Sequence, residues 1–176
     1  MKNILILFLL FSCTTCTTYD SALVYHKNFK PGTHPLLQFN GFYTQSNADA
    51  VDFDATTERF VKPVFFYRDG SVFSTTNFVK NSALLNSVKT NTLIGSWGNY
   101  LIKADSIQLE KFEQTENNYE RVILKGTISK DKIHWTSRKE HNEAFKPVDY
   151  TMNFSGFTEK PDSTKNFTRT KKKYNQ

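Results

Sequence analysis

Residues 117–140, NNYERVILKGTISKDKIHWTSRKE, contain two runs in which apolar and polar side chains alternate. A period of two is typical of β-strands that bury one face of a sheet. The two runs meet at Lys130 and Asp131, where a short polar turn fits. The sequence therefore predicts a β-hairpin with one apolar face. That face consists of Val122, Leu124, Gly126 and Ile128 in the first strand and of Ile133 and Trp135 in the second.

Similar alternating runs lie on both sides of this hairpin, at residues 36–44, 59–76, 95–114 and 148–159. Arg68, Asp69 and Gly70 supply a tight turn inside the second run, and Ala104 and Asp105 divide the third. This makes about eight strands, and one wetted face per strand is typical of antiparallel sheets. Because closure removes unpaired edges, the pattern predicts an all-β fold, an antiparallel up-and-down β-barrel.

One segment, residues 77–91, has a different pattern. Val79, Leu84 and Val88 recur at a spacing close to that of a helix. Asn81 or Ser82 could cap its first turn. We expect one short helix here, between the strands of the barrel.

The amino terminus has the layout of a secretory signal. Lys2 is followed by the apolar run ILILFLLF at residues 4–11, which is too short to cross a bilayer as a helix. Residues 10–13, LFSC, resemble the lipobox of bacterial lipoproteins, with Leu10 at −3 and Ser12 at −1. The resemblance implies that Cys13 becomes a lipidated first residue. An ordinary signal peptide cut near Thr18 is the alternative.

Together with the strand pattern and the distribution of charge, this resemblance predicts four regions and a location. Residues 1–12 are the signal peptide, 13–36 a lipidated tether, 37–160 the barrel domain and 161–176 a basic, disordered tail. The protein would be anchored in the cell envelope, in the outer membrane of a Gram-negative bacterium. Cys16 fits less well as the acceptor, because its −3 residue is Cys13. The chain has no cysteine after Cys16, which excludes a disulfide framework and a cysteine nucleophile from the predicted domain.

Residues 94–112, IGSWGNYLIKADSIQLEKF, resemble a stretch of small exported lipoproteins with lipocalin-like domains. Gly95, Trp97 and Tyr100 match the entry to a strand, and Asp105, Ile107 and Leu109 match the turn and the strand that follows. The sequence FNGFY at 39–43 is similar to the first-strand motif of lipocalins, with Tyr43 in place of Trp. Arg138 is the nearest candidate for the late arginine of that family. The resemblance implies a lipocalin-like barrel; such domains generally hold a small apolar molecule, and some hold none.

The composition argues against several other functions. The net charge of +6 is concentrated at the end of the chain, where a frayed, solvated tail is favoured over an anion-binding patch. No basic set alternates with aromatic residues in the body, so no nucleic-acid partner is expected. His134 and His141 with Glu140 or Glu143 could share a metal, but a polar surface hairpin is favoured. No catalytic motif is present, and we expect neither an enzyme nor a cofactor.

The remaining question is what the aromatic residues do, since the chain has 16 Phe and 8 Tyr. If the alternating faces meet inside a barrel, they form either an apolar ligand pocket or a packed core. In the second case the outer face would bind a protein or glycan partner, whose identity the sequence does not give. The predicted pocket consists of Phe39, Tyr43, Phe66, Trp97, Leu109, Leu124, Trp135 and Phe154.

Overall fold

The computed structural model describes residues 34–45, 60–114, 119–140 and 143–165. The predicted signal peptide, Cys13, most of the tether and residues 166–176 lie outside them. The elements in chain order are β1 (Gly41–Gln45), β2 (Phe60–Val61), β3 (Val64–Phe66), β4 (Ser71–Thr75), β5 (Val79–Lys80), α1 (Asn81–Lys89), β6 (Gly95–Lys103), β7 (Ser106–Gln114), β8 (Tyr119–Ser129), β9 (Lys132–Glu140), β10 (Lys146–Gly156) and a 3-10 helix (Ser163–Lys165).

Eight of these strands close into a single antiparallel barrel, in the order β1-β10-β9-β8-β7-β6-β4-β3. Each strand pairs with its neighbour along the chain, and β1 closes the barrel by pairing with both β10 and β3. The predicted all-β, up-and-down barrel with one short helix is therefore confirmed. Pro63 lies between β2 and β3, and β2 pairs outside the barrel with β5.

Three tight turns lie at one end of the barrel, which we call the turn end. Residues 104 and 105 connect β6 to β7, and 130 and 131 connect β8 to β9. Ala104 and Asp131 have positive φ values of 50° and 60° in these turns. Gly70, at φ 86°, completes the turn between β3 and β4, where glycine has no Cβ to clash. Strands β1, β4, β7 and β9 terminate at the opposite end of the barrel, which we call the loop end.

The barrel strands bury apolar residues on both faces, in two clusters. The interior cluster contains one face of each barrel strand: Leu37, Tyr43, Val64, Phe66, Val72, Tyr100, Ile107, Leu109, Val122, Leu124, Ile128, Ile133, Trp135 and Met152. The outer cluster lies beneath α1: Phe42, Phe65, Phe73, Leu84, Val88 and Trp97. Successive strand residues point to opposite faces, so neighbours such as Phe65 and Phe66 fall in different clusters.

The helix covers the outside of the barrel and runs from Asn81 to Lys89, within the segment that the sequence pattern predicts to be helical. Its N-cap is Lys80, which makes no capping hydrogen bond with its side chain, so the predicted caps Asn81 and Ser82 are wrong. Pairing between β5 and β2 keeps the chain extended up to Lys80, and the helix starts directly after it. None of the helices in the described ranges is long and apolar enough to span a membrane.

The ordered chain continues past residue 160, where the sequence analysis placed the start of the tail. Pro161 is buried, and its carbonyl accepts a hydrogen bond of 2.6 Å from the Tyr67 hydroxyl. Asp162 then caps the 3-10 helix, accepting bonds from the Thr164 amide and hydroxyl. The chain therefore contacts the barrel as far as Pro161, and the described structure continues to Lys165.

Candidate functional site

The structure brings seven of the eight predicted pocket residues to the barrel interior. Five of them belong to the interior cluster, with exposed fractions between 0% and 4%: Tyr43, Phe66, Leu109, Leu124 and Trp135. Phe39 and Phe154 are partly buried and pack against this cluster. Trp97 does not join them and lies in the outer cluster, so its placement in the pocket is a correction. It pairs with Phe73 in the sheet, and the two rings lie 5.0 Å apart on the outer face.

The interior aromatic residues pack against one another. The Tyr43 ring contacts those of Phe66 and Phe154 at centroid distances of 5.5 Å and 5.4 Å, and Phe66 contacts Tyr100 at 5.1 Å. Edge-to-face contacts at such distances add stability beyond burial. Trp135 Nε1 donates a hydrogen bond to Met152 Sδ at 3.2 Å. This part of the interior is a packed core that leaves little room for a ligand.

The hydroxyl groups of the buried tyrosines are satisfied within this core. The Tyr100 hydroxyl donates to the Tyr67 carbonyl at 2.7 Å, and the Tyr43 hydroxyl accepts from the Gln38 amide at 2.9 Å. Burial raises the pKa of both tyrosines, with the Asp131 charge contributing at Tyr43. Both therefore stay neutral at physiological pH, and neither has the properties of a catalytic base.

Towards the loop end the interior becomes charged. Lys111 and Glu113 continue the inward face of β7 beyond Leu109, and Arg138 and Glu140 lie on β9 opposite Leu124 and Val122 of β8. Because paired residues in an antiparallel sheet share a face, these four charges point into the barrel. Together with Ser74 of β4 they form what we call the interior charged network.

Short contacts connect every member of this network. Lys111 Nζ lies 2.7 Å from Glu113 Oε1 and donates a hydrogen bond to Ser74 Oγ at 3.1 Å. Arg138 bridges the two carboxylates, with Nη2 at 2.7 Å from Glu113 Oε2 and Nε at 2.7 Å from Glu140 Oε1. The network contains two cations and two anions, so its formal charge is zero. Buried ion pairs need such additional hydrogen bonds to offset the cost of desolvation.

The electrostatic environment of the network follows from burial and pairing. Burial opposes the ionisation of Glu113, but Lys111 and Arg138 outweigh it and lower the pKa of Glu113 to about 2. Burial also lowers the pKa of Lys111 from its ordinary value, although Glu113 acts in the opposite direction. Burial raises the pKa of Tyr150 to about 12, with Arg138 and Glu113 also acting on it. Glu113 is therefore a permanent anion at neutral pH.

A local irregularity in β9 turns Arg138 and Glu140 into the barrel. Trp135 pairs with Gly126, whereas Ser137 pairs with Lys125, so Thr136 is an extra residue without a partner on β8. Such a bulge shifts the alternation by one residue. Trp135 and Arg138 therefore face the same side, although strict alternation would put them on opposite sides. Sequence reasoning missed the network because nothing in the local pattern marks this bulge.

The network is accessible from the loop end. The side chains of Glu113 and Arg138 are 28% and 30% exposed, whereas Lys111 is 11% exposed. Tyr150 and Val148 of β10 are partly buried and pack against the interior cluster. Glu113, Arg138, Val148 and Tyr150 lie on β7, β9 and β10 towards the loop end of the interior, and we call this region the mouth. It can donate and accept hydrogen bonds and offers an apolar surface beside them.

The predicted anchor and metal ligands have different outcomes. Cys13 and His141 lie outside the described residues. His134 faces away from the network, with its Nε2 3.6 Å from Asp149 and its Nδ1 3.2 Å from the Thr151 hydroxyl. Within the described ranges, no group of three or more His, Cys, Asp or Glu side chains could hold a metal.

The chain matches no protein-family model, no curated protein and no solved structure.

Proposed function

We propose that this protein is a non-catalytic lipoprotein of the cell envelope whose barrel binds a small ligand at the loop-end mouth. The ligand would carry a polar group for Arg138 and Glu113 and an apolar part for Val148 and Tyr150. In this proposal Cys13 carries the lipid that holds the domain at the membrane, in a Gram-negative outer membrane, and no nucleic acid is a partner.

The observation that supports this proposal is the partial exposure of an ion-paired Arg138 and Glu113 inside a barrel. Apolar residues of similar volume often stabilise a core as well as a buried ion pair does. A barrel that needed only a core could use apolar residues at these positions. A small number of polar groups among apolar side chains is what usually fixes the orientation of a bound ligand.

The packed core changes the ligand that we expect. The sequence pattern favours a wholly apolar molecule deep among the aromatic residues. Tyr43, Phe66 and Trp135 fill that region themselves. A ligand above them would contact both charged groups and apolar side chains. An amphiphilic molecule therefore fits this region better than a wholly apolar one.

The second candidate is a barrel with no small ligand, whose outer surface binds a protein or glycan partner. The close packing of the interior cluster favours it, because a fully packed barrel needs no occupant. The two candidates differ in one respect that can be measured, namely whether a molecule occupies the mouth.

Native mass spectrometry of the full-length protein purified from its own host tests the proposal. We expect a non-covalent small molecule bound to the wild type, and at least a tenfold lower occupancy in Arg138→Gln. Lys139→Gln is the matched control, because it removes the same charge one residue further along β9, on the opposite face of the sheet. A wild type without any bound molecule, or equal loss in the two variants, would favour the second candidate.

A further inference from the structure

A second concave site lies at the turn end, on the opposite side of the molecule from the mouth. It is a cleft of about 730 Å³, which is within the usual size range of small-molecule sites. We call it the turn-end cleft. The residues that line it and carry the argument are Phe39, Tyr67, Arg68, Phe157 and Lys160.

The chain after β10 builds one wall of this cleft and is fixed to the barrel by three hydrogen bonds. The Phe157 amide donates to the Asn40 carbonyl at 2.9 Å, and Lys160 Nζ donates to the Phe66 carbonyl at 2.9 Å. The third bond joins the Tyr67 hydroxyl to the Pro161 carbonyl. The Phe157 ring packs on Phe42 of the outer cluster at 5.7 Å. The cleft is therefore part of the folded structure before any ligand binds.

Two cations lie against aromatic rings in the cleft. The Arg68 guanidinium is 5.0 Å from the centroid of the Phe39 ring, and Lys160 Nζ is 5.1 Å from that of Tyr67. Neither forms an ion pair with a carboxylate of the described residues. The nearby Asp69 accepts hydrogen bonds from the Ser71 amide and hydroxyl. Asp69 also lines the cleft, which therefore carries two cations and one carboxylate among its described residues.

The electrostatics of Lys160 agree with this arrangement. Burial and, to a smaller extent, the positive charge of Arg68 together lower the pKa of Lys160 to about 8. A carboxylate nearby would have the opposite effect. An anion in the cleft would therefore interact favourably with both cations.

We propose that the turn-end cleft binds a small organic anion with an aromatic body, in a site separate from the mouth. The anionic group, a carboxylate, phosphate or sulfonate, would lie between Arg68 and Lys160. The ring would pack among Phe39, Tyr67 and Phe157. This inference does not depend on the function proposed for the mouth.

Calorimetric titration of the full-length protein with phenyl phosphate tests the inference. Benzyl alcohol and inorganic phosphate are the matched probes. Benzyl alcohol keeps the aromatic ring without the anionic group, and inorganic phosphate keeps the anionic group without the ring. We expect phenyl phosphate to bind at least tenfold more tightly than either. The double variant Arg68→Gln with Lys160→Gln should weaken its binding at least tenfold.

The control is the double variant Lys103→Gln with Lys130→Gln, which removes the same charge from two exposed residues at turns of the same end. It should bind phenyl phosphate like the wild type. An equal loss in both double variants would show only the effect of net charge and would overturn the inference. So would equal binding of benzyl alcohol, or unchanged binding after loss of Arg68 and Lys160. The thermal midpoints of the variants establish that each is folded.

Discussion

Lys111 on β7 donates a hydrogen bond to Ser74 on β4 at 3.1 Å, although strand β6 lies between them. The residue of β6 that pairs with Lys111 is Gly98, which also pairs with Val72 of β4. Glycine has no side chain, so the lysine side chain can cross β6 at this position. The interior charged network therefore depends on the absence of a side chain at Gly98.

The first prediction follows from this crossing. A Cβ atom at position 98 would clash with the Glu110 carbonyl and lie 2.8 Å from the Lys111 Cβ. We expect Gly98→Ala to lower the free energy of unfolding by about 1–3 kcal/mol, as overpacking typically does. Urea unfolding measures this change. Gly156→Ala is the control, since a Cβ there meets nothing within 4 Å, and equal losses in both variants would contradict the argument.

The second prediction concerns the charge on Glu113. Glu113→Gln leaves the buried Lys111 without its carboxylate and removes one partner of Arg138. Breaking such a pair is destabilising, and partial exposure moderates the effect to about 1–3 kcal/mol at pH 7. The exposed pair of Glu143 with Lys146 supplies the control, and Glu143→Gln should change stability little.

The same variant has a defined pH dependence. The pKa of Glu113 is about 2 in the folded protein, against an ordinary value of 4.5. A lowered pKa stabilises the fold above pH 4.5, and this contribution disappears as the pH falls from 4.5 to 2. The difference in unfolding free energy between the wild type and Glu113→Gln should therefore shrink over that range. A difference that stays constant from pH 6 to pH 2 would show that Glu113 is not paired as described.

The barrel could be predicted from sequence because its determinants are local. Alternation within each strand and the tight turns at 104–105 and 130–131 lie within a few residues of each other, and they fix the order and direction of the strands. The helix could be predicted for the same reason, because its apolar residues recur at a helical spacing. Its position on the barrel could not be predicted, because the contact of Leu84 with the outer cluster joins distant parts of the chain.

Two features of the site depend on tertiary structure and were missed. Trp97 and Tyr100 are three residues apart on β6 and so face opposite sides, but both sides are apolar because α1 covers the outer one. Hydrophobicity alone therefore could not place Trp97. Arg138 faces inward only because Thr136 is a bulge, and bulges depend on the pairing partner rather than on the strand's own pattern.

The third prediction tests the proposed membrane anchor. Cys13→Ser should abolish the incorporation of labelled fatty acid in the native host, because it removes the thiol that would be acylated. Cys16→Ser is the control and should label like the wild type. Labelling that persists in Cys13→Ser and disappears in Cys16→Ser would show that the second cysteine is the acceptor. If both variants still incorporate the labelled fatty acid, the lipoprotein proposal is contradicted.

The fourth prediction separates a packed interior from a deep apolar cavity. Trp135 is 1% exposed and bonded to Met152, so Trp135→Ala should leave a void and lower the free energy of unfolding by roughly 3–5 kcal/mol. Trp135→Phe keeps a ring and should cost less. Urea unfolding of both variants gives the stability, and fluorescence of N-phenyl-1-naphthylamine reports apolar binding. The wild type should bind little of this probe, because the aromatic rings of the interior cluster pack against one another. A loss below about 1 kcal/mol in Trp135→Ala, together with probe binding by the wild type that this variant lacks, would mean that Trp135 lines a cavity rather than a packed core.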